Sequence, residues 1–520
     1  MPKTLAKLLL AAMLAIPMAL AAAAELRIAL AADVSSLDPH FLNIAPNINL
    51  SSHLFDTLVM SDANGRLVPG LAESWRAVDD TTWEFHLRRG VVFHDGSPLT
   101  ADDVLFSLDR PAQLTTSPGP FTAYTRQIVA KRAIDDHTIE LKTAQPYGPL
   151  PLDLSSIFII SKRAAEHARP EDFDSGRALV GTGPFRFAGF VRGDHIDLAR
   201  NDAWWGGRAP WERVRFRIIT AAAPRLAALL AGDVDVMESV PTPDVAHLQR
   251  NPRFTVAQRV SWRTIFWTVD QRPRPSPWVT GNDGRALERN PLADVRVRRA
   301  ISMAIDRKTL VARTMEGLAV PASNIISPGV FGYDDALAVQ AYDPAGAKRL
   351  LAEAGYPDGF RLTLHGPNNR YVNDERIVQT VAQYLSRIGI RTAVQTLPLS
   401  VYFGRARKGE FSVALLGWGS LAGDFALRTL VGTPDPKAGW GTWNWGAYGN
   451  PQADAEVRAA LGSVDQAQRE AHAKAGAALA LGEEAVIPLH HQVATWALRK
   501  GLSYPGRIDE FTFAHQILPR

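Results

Sequence analysis

From residue 25 onward the chain alternates between two hydrophobic periods. Leu26, Ile28 and Leu30 recur at every second position in ELRIALAA (25–32), the spacing of a strand with one buried face. Trp83, Phe85 and Leu87 do the same. The Arg89-Gly90 turn that follows, with Val91 to Phe93 after it, predicts a hairpin over 81–96. The period then lengthens. TADDVLFSLDR (100–110) reads as a helix with Thr100 as N-cap and two acids in its first turn, where the helix dipole favours negative charge. A strand at 214–219 and a helix from 223 stopped by Gly232 come next. A short strand at 234–237 follows. A helix at 241–249 then has Thr242 as N-cap and Pro243 at its first position.

The second half repeats this grammar. FRLTLHG (360–366) predicts a strand, and ERIVQTVAQYLSRIG (375–389) a helix with Ile377, Val378, Val381, Leu385 and Ile388 on one face and Gly389 at its end. Strands at 390–397 and 411–418 flank a short helix at 401–408. The second of those strands is apolar at nearly every position, as in a sheet covered on both faces. Strand and helix in alternation define α/β architecture. The Pro- and Gly-rich stretch QRPRPSPWVTGNDG (271–284) separates two such regions and reads as a crossing or hinge-adjacent loop.

Residues 1–24 fall outside this pattern. Lys3 and Lys7 precede an apolar run from Leu8 to Leu20, and Ala22-Ala23-Ala24 supplies small residues before Glu25. These are the three regions of a cleaved secretory signal, and no later segment is long and apolar enough to span a bilayer. The chain has no cysteine, so it carries neither disulfides nor a lipidated N-terminal Cys. Its net charge of +4 falls to near +2 without the two signal lysines. No Lys/Arg block offers a nucleic-acid footprint. The densest cluster (Arg296, Arg298, Arg299) is threaded with Val295, Val297 and Ile301 on one helix.

One loop concentrates aromatic surface. GWGTWNWGAYGNP (439–451) holds Trp440, Trp443 and Trp445 within six residues, among glycines and before Asn-Pro. Rings give large contact area at low entropic cost. The loop is either an aromatic wall of a ligand cleft or an irregular segment pinned by its tryptophans.

A series of phrases runs in order along the chain: SSLDPH (35–40), LFDTLV (54–59), LVPGLAESW (67–75), LRRGVVFHDGSPLTADDVLFSLDR (87–110) and GTGPF (181–185). RLAALLAGDVDVM (225–237), DVRVRRAISMAIDR (294–307), YDPAGAKRLLAEAGYPDGF (342–360) and IPLHHQ (487–492) complete it. In their number, order and spacing they resemble the extracytoplasmic solute-binding proteins of family 5, which serve dipeptide, oligopeptide and nickel ABC importers. The resemblance covers essentially the whole mature chain. It implies a two-lobed periplasmic-binding-protein fold of the type II Venus-flytrap kind. Lobe I would be residues 25–270, with an inserted subdomain at about 60–185. Lobe II would be 271–486, and 487–520 would return to lobe I. It further implies a periplasmic, monomeric, non-enzymatic protein without cofactor that hands a peptide or other small solute to a membrane permease.

The resemblance also nominates ligand-binding residues. In peptide-binding members a Trp at the position of Trp418 is followed three residues later by an acid that holds the peptide amine. Here that position is Leu421, and the first acid is Asp424, which alternatively caps a helix over 425–430. An anion-binding Arg belongs near GPNNRYVND (366–374), where Arg370 matches best; a fork of two N–H groups suits a carboxylate. Ser36, Leu37 and Asp38 follow the first strand towards the cleft floor, although Asp38 equally suits the Pro39 turn. Trp440, Trp443 and Trp445 complete the set. His490 and His491 are neighbours in a strand and so face opposite sides, poor geometry for one metal ion. Neither G-x-S-x-G nor H-E-x-x-H occurs, which leaves an exported hydrolase without a motif. Non-peptide solutes (opine, sugar, metal chelate, haem) stay open.

Overall fold

The computed structural model describes residues 25–520; the signal-like segment at 1–24 lies outside the described residues. A 12-stranded sheet runs through the molecule. At one end lie Phe185–Val191, His195–Arg200, Arg213–Ile218, Glu25–Leu30 and Val236–Glu238; at the other lie Val279–Thr280, Arg361–Pro367 and Val413–Gly419. Two long strands, Phe254–Val269 and Val486–Arg499, join the ends.

Their register shows how the chain passes between the lobes. Phe254 to Val260 pair with Arg499 to Val493 beside the first end, whereas Thr264 to Thr268 pair with His491 to Val486 beside the second. The ladder shifts between Val260 and Thr264. From Arg263 onward the first of these strands also gains Val413–Gly419 as a partner. The crossing is thus made by two antiparallel strands with an irregularity at their midpoint. The 271–284 loop lies beyond it, where Val279–Thr280 adds an edge strand to Arg361–Pro367.

Local chemistry accounts for most elements. Leu26, Ile28 and Leu30 are buried as the alternation requires. Helix Asp374–Arg387 buries Ile377, Val378, Val381 and Leu385 completely, each contributing about 1.5–3 kcal/mol of transfer free energy. It connects Arg361–Pro367 to the parallel strand Arg391–Leu397, the crossover that parallel pairing demands. Gly232 ends helix Ala222–Ala231 at φ 84°, a left-handed conformation in which glycine avoids the Cβ penalty.

Two expectations need correction. Thr82–Leu87 does not form a hairpin with 91–93. It is central in a separate four-stranded sheet, between Ala72–Ala77 and Thr138–Thr143, with Ile128–Asp135 outside the latter. After the Gly90 turn Val92 makes only an isolated bridge, to Pro98. Thr242 is the first residue of helix Thr242–Arg250 rather than its cap; Pro241 precedes it and no side chain caps it.

Separate cores fill the two ends. One surrounds Phe55, Phe185, Phe216 and Trp496, and another Trp267, Leu364, Val381 and Leu415. A third runs from the inserted region (Phe85, Phe93, Leu154) into Leu427, Trp445, Val457 and Ala477. The inserted four-stranded region therefore packs directly on the helices of the second end.

Candidate functional site

The crossing strands gather charge at their midpoint. Arg263 Nη2 donates to Glu510 at 2.7 Å, and Arg263 Nε reaches both carboxylate oxygens at 3.2 Å. Ser261 Oγ and Gln492 Nε2 each donate to Glu510 at 2.9 Å. Three donors from the two crossing strands thus converge on one carboxylate of the C-terminal tail. Glu510 adopts φ 68°, which costs a non-glycine residue about 1–2 kcal/mol and persists only where surrounding bonds impose it.

Arg370 lies beside this pair. Its loop leaves the end of Arg361–Pro367 and is tied down by Asp374, which accepts the backbone N–H of Arg370 at 2.8 Å, Tyr371 at 3.0 Å and Glu375 at 2.9 Å. Tyr371 in turn donates its hydroxyl to Gly417 O at 3.2 Å. The Arg370 side chain is exposed and has no hydrogen-bond partner among the described residues. Desolvation and the neighbouring Arg263 charge lower its pKa.

Two indoles belong to the same stretch of the crossing. Trp262 stands edge-on to Phe511 at 6.0 Å and packs over Gly419, where a Cβ would come within 2.5 Å of its ring. Trp418 lies opposite Thr264 in register. The Nε1–H groups of both are buried and without acceptor among the described residues. Leu421, just beyond, reaches the opposite side: a Cβ at Gly65 would lie 2.7 Å from its methyl, and Ile508 lines the same spot.

The tryptophan loop divides. Trp443 sits 5.2 Å from Trp418, 5.5 Å from Trp445 and 5.6 Å from Phe403, with Arg407 at 4.8 Å over its face. Trp445 is buried in that group. Trp440 stands apart, covered by Arg458 at 4.6 Å and packed on Gly432. The backbone of the loop caps helix Gly423–Leu430: Gly441 N–H donates to Arg428 O at 2.9 Å and Trp443 N–H to Thr429 O at 3.0 Å. Asn444 ties the loop to itself through Gly432 O and Tyr448 O. The aromatic surface thus serves first to seat an irregular segment on the second lobe, and Trp443 carries it towards Trp418.

The acids nominated from the sequence are already paired. Asp424 is fully buried in the first turn of Gly423–Leu430 and takes Arg469 Nε at 2.7 Å. Asp38 is buried and meets both terminal nitrogens of Arg110 at 2.6 Å, with His40 N–H on Oδ1 at 3.0 Å. Leu37 is buried with its N–H on Asp174, and Ser36 Oγ bonds the same carboxylate. This first loop is therefore fastened to the inserted region. Asp38 and Asp424 stand as structural carboxylates because each has an arginine fixed by packing, and neither joins the group around Arg370. His490 and His491 face opposite ways: His491 Nδ1 meets Thr264 Oγ1 at 2.9 Å, while both His490 nitrogens are buried without partner among the described residues. Burial lowers them to about 4 and about 3. Among the described residues no group of three or more potential ligands could hold a metal ion.

Sequence reasoning missed Arg263, Glu510, Trp262, Arg110 and Arg469. One signal was available: SWRTIFW (261–267) sets a charge inside an otherwise apolar strand, and such a charge needs a partner.

Two ends of one sheet joined by two crossing strands make a two-lobed fold. Residues 66–431 match the family described as "Bacterial extracellular solute-binding proteins, family 5 Middle". The chain belongs to the family 5 bacterial extracellular solute-binding proteins. It is similar to heme-binding protein A of Haemophilus influenzae, 28% identical over 461 residues that cover 82% of this chain and 79% of that one. It is similar also to the dipeptide-binding protein of Escherichia coli K12, 28% identical over 389 residues, 69% and 68% of the two chains. Among solved structures, the periplasmic binding protein DppA of Helicobacter pylori, in complex with the peptide STSA, matches at TM-score 0.77 and 25% identity, over 95% of this chain and 98% of that one.

Proposed function

We propose that this protein is the solute-capturing component of an ABC importer, closing its lobes over a peptide-like solute and presenting it to a membrane permease. The observation that carries the reading is the pair of long antiparallel strands, Phe254–Val269 and Val486–Arg499, that join the two ends of the sheet and shift register at their midpoint, beside the Arg263–Glu510 pair. A hinge located there turns small rotations of the strands into opening and closing of the cleft. Lobe I is taken as 25–270 with its insertion at about 60–185, lobe II as 271–486, and 487–520 as the return. Residues 1–24 act as the export signal, the mature chain works in the periplasm as a monomer, and it catalyses no reaction. The name of the Escherichia coli relative, the peptide bound in the Helicobacter structure and the family description support this reading. Trp418, Trp443 and Arg370 form its ligand-facing set; Trp440 and Trp445 seat the loop that carries Trp443, and Leu37, Asp38 and Asp424 fasten their own segments.

Small-angle scattering with a solute library tests it. A solute that raises the melting temperature and reduces the radius of gyration supports capture by closure. Conversion of the solute to product by the purified protein, with no compaction, would sink the proposal.

A further inference from the structure

The inserted region is fastened unequally to the two ends of the molecule. To the first end it holds through the buried ion pair of Arg110 with Asp38, through Leu37 N–H on Asp174 at 2.7 Å, and through Ile159 N–H on Asp56 O at 2.9 Å. To residues 271–486 it has one hydrogen bond among the described residues, Gly148 N–H on Leu461 O at 2.9 Å, and no ion pair. The rest of that boundary is close approach at glycine. A Cβ at Gly65 would lie 2.7 Å from a Leu421 methyl and 3.1 Å from Ile508. A Cβ at Gly439 would lie 2.7 Å from the Arg126 guanidinium, and one at Gly148 would strike the Ser463 carbonyl. Each side is fixed within its own end. Ile508 N–H donates to Ala63 O at 3.0 Å beside Gly65, and Gly423 N–H donates to Phe331 O at 2.9 Å beyond Leu421. Tyr147, Leu150 and Leu461, next to the Gly148 contact, are buried in one apolar cluster.

We infer, on the basis of the solute-capture reading above, that the inserted region is a clasp that holds the lobes closed without a solute. It travels with the first lobe, because parting from that lobe would strand a buried arginine and a buried aspartate. It releases the second lobe, because glycine, methyl and carbonyl contacts can separate and reseat with no charge left unpaired. Rotation at the crossing strands carries the second lobe away from the first, so these contacts break whenever the cleft opens. The apolar surface they cover then favours the closed form. Solute affinity therefore depends on positions such as Gly148, outside the ligand-facing set, through the population of the closed form.

The chain has no cysteine, so introduced cysteines can carry spin labels without background. Val129, Val191 and Val401 are exposed and lie in the inserted region, the first lobe and the second lobe. Val129→Cys with Val401→Cys reads the clasp. Val129→Cys with Val191→Cys reads whether the inserted region keeps its place on the first lobe. Pulsed electron resonance is run on the full mature chain, stripped in urea and refolded, with and without casein hydrolysate. The parent should give a short 129–401 distance in both samples. Leu421→Ala, which shortens a half-covered side chain, should raise the population of a longer distance about tenfold, the equivalent of about 1.4 kcal/mol. Gly148→Val should make the longer distance dominant, and the 129–191 distance should stay unchanged in both variants. A 129–401 distance that stays short in both variants, or a 129–191 distance that shifts with it, overturns the clasp; the capture reading falls too only if hydrolysate leaves the melting temperature unmoved. A stripped parent that is already long and shortens with hydrolysate overturns the clasp while capture stands. A parent that stays long with hydrolysate overturns both.

Discussion

Glu510 of the C-terminal tail and Arg263 of the first crossing strand meet at 2.7 Å, with the glutamate backbone held left-handed at φ 68°. The pair joins the tail to the stretch between Val260 and Thr264, where the strand ladder shifts register. Losing the carboxylate leaves Arg263 buried and uncompensated. Glu510→Ala should cost about 3 kcal/mol, the low side of the range for breaking a buried pair. Glu510→Gly should be milder by about 1 kcal/mol, because glycine adopts that φ without penalty. Urea denaturation measures both; equal midpoints for the two variants would refute the strain argument.

Asp424 and Arg469 form a drier pair. Asp424→Ala should destabilise by about 3–5 kcal/mol, and Asp424→Ala with Arg469→Met should recover much of that loss, since the penalty is the stranded charge. A ligand-gripping Asp424 would behave in the opposite way, with affinity lost and the unfolding midpoint unmoved.

The aromatic loop should show graded costs. Trp445→Ala removes a buried ring and should cost about 3–5 kcal/mol. Trp440→Ala loses a half-covered ring and its Arg458 contact, for about 1 kcal/mol. Trp443→Ala should fall between them and also weaken solute binding. Thermal denaturation of the three single variants checks the order, and a Trp440→Ala as costly as Trp445→Ala would show that the loop packs differently.

These pairs mark the limit of what could be read from the chain. Strand Glu25–Leu30 and helix Asp374–Arg387 were legible because their signal is local: period two in Leu26, Ile28 and Leu30, and one apolar face in Ile377, Val378, Val381 and Leu385. The family was legible through ordered phrases and gave the two-lobed fold. The partner of Thr82–Leu87 was not, because alternation shows that a strand has a buried face but not which strand lies beside it; Thr138–Thr143 comes some fifty residues later. Arg370 could be nominated from the family resemblance, on the segment between strand and helix. The pairing of Asp38 with Arg110, and of Asp424 with Arg469, arises only in tertiary structure, and it determines which charges remain for a solute.

Stability should fall on acidification. Burial lowers His40, His53, His94, His365 and His491 to about 4, and His490 and His515 to about 3, below the ordinary imidazole value near 6.5. Above pH 6.5 both folded and unfolded chains hold them neutral. Between 6.5 and about 4 the unfolded chain takes up protons that the folded one refuses, at up to about 1.4 kcal/mol per group per pH unit. Burial raises Asp153 and Glu484 to about 7, and also raises Asp56, Glu238 and Asp374; these act in the opposite sense, but the histidines outnumber them. The melting temperature should therefore drop from pH 7 to pH 5, less so in His490→Leu. A rise over that interval would contradict the burial of these rings.

The inserted region seats on the second lobe through a glycine. Gly148 N–H donates to Leu461 O at 2.9 Å, and a Cβ at Gly148 would collide with the Ser463 carbonyl at the end of helix Pro451–Gly462. Behind this contact Tyr147 donates to Asp153 at 2.7 Å, and Arg428 and Arg469 bring buried guanidinium nitrogens without acceptors among the described residues. Asp153 owes its raised pKa to desolvation at this junction. A side chain at 148 must push the helix end away, because the colliding atom is backbone. Gly148→Val should then separate the inserted region from the helices, increase the radius of gyration, and let water reach Asp153. Its carboxyl should return towards the ordinary range near 4. Scattering reads the first effect and carboxyl NMR the second. A Gly148→Val protein as compact as the parent, with Asp153 still titrating near neutrality, would mean that the junction tolerates the methyls and does not depend on this close approach.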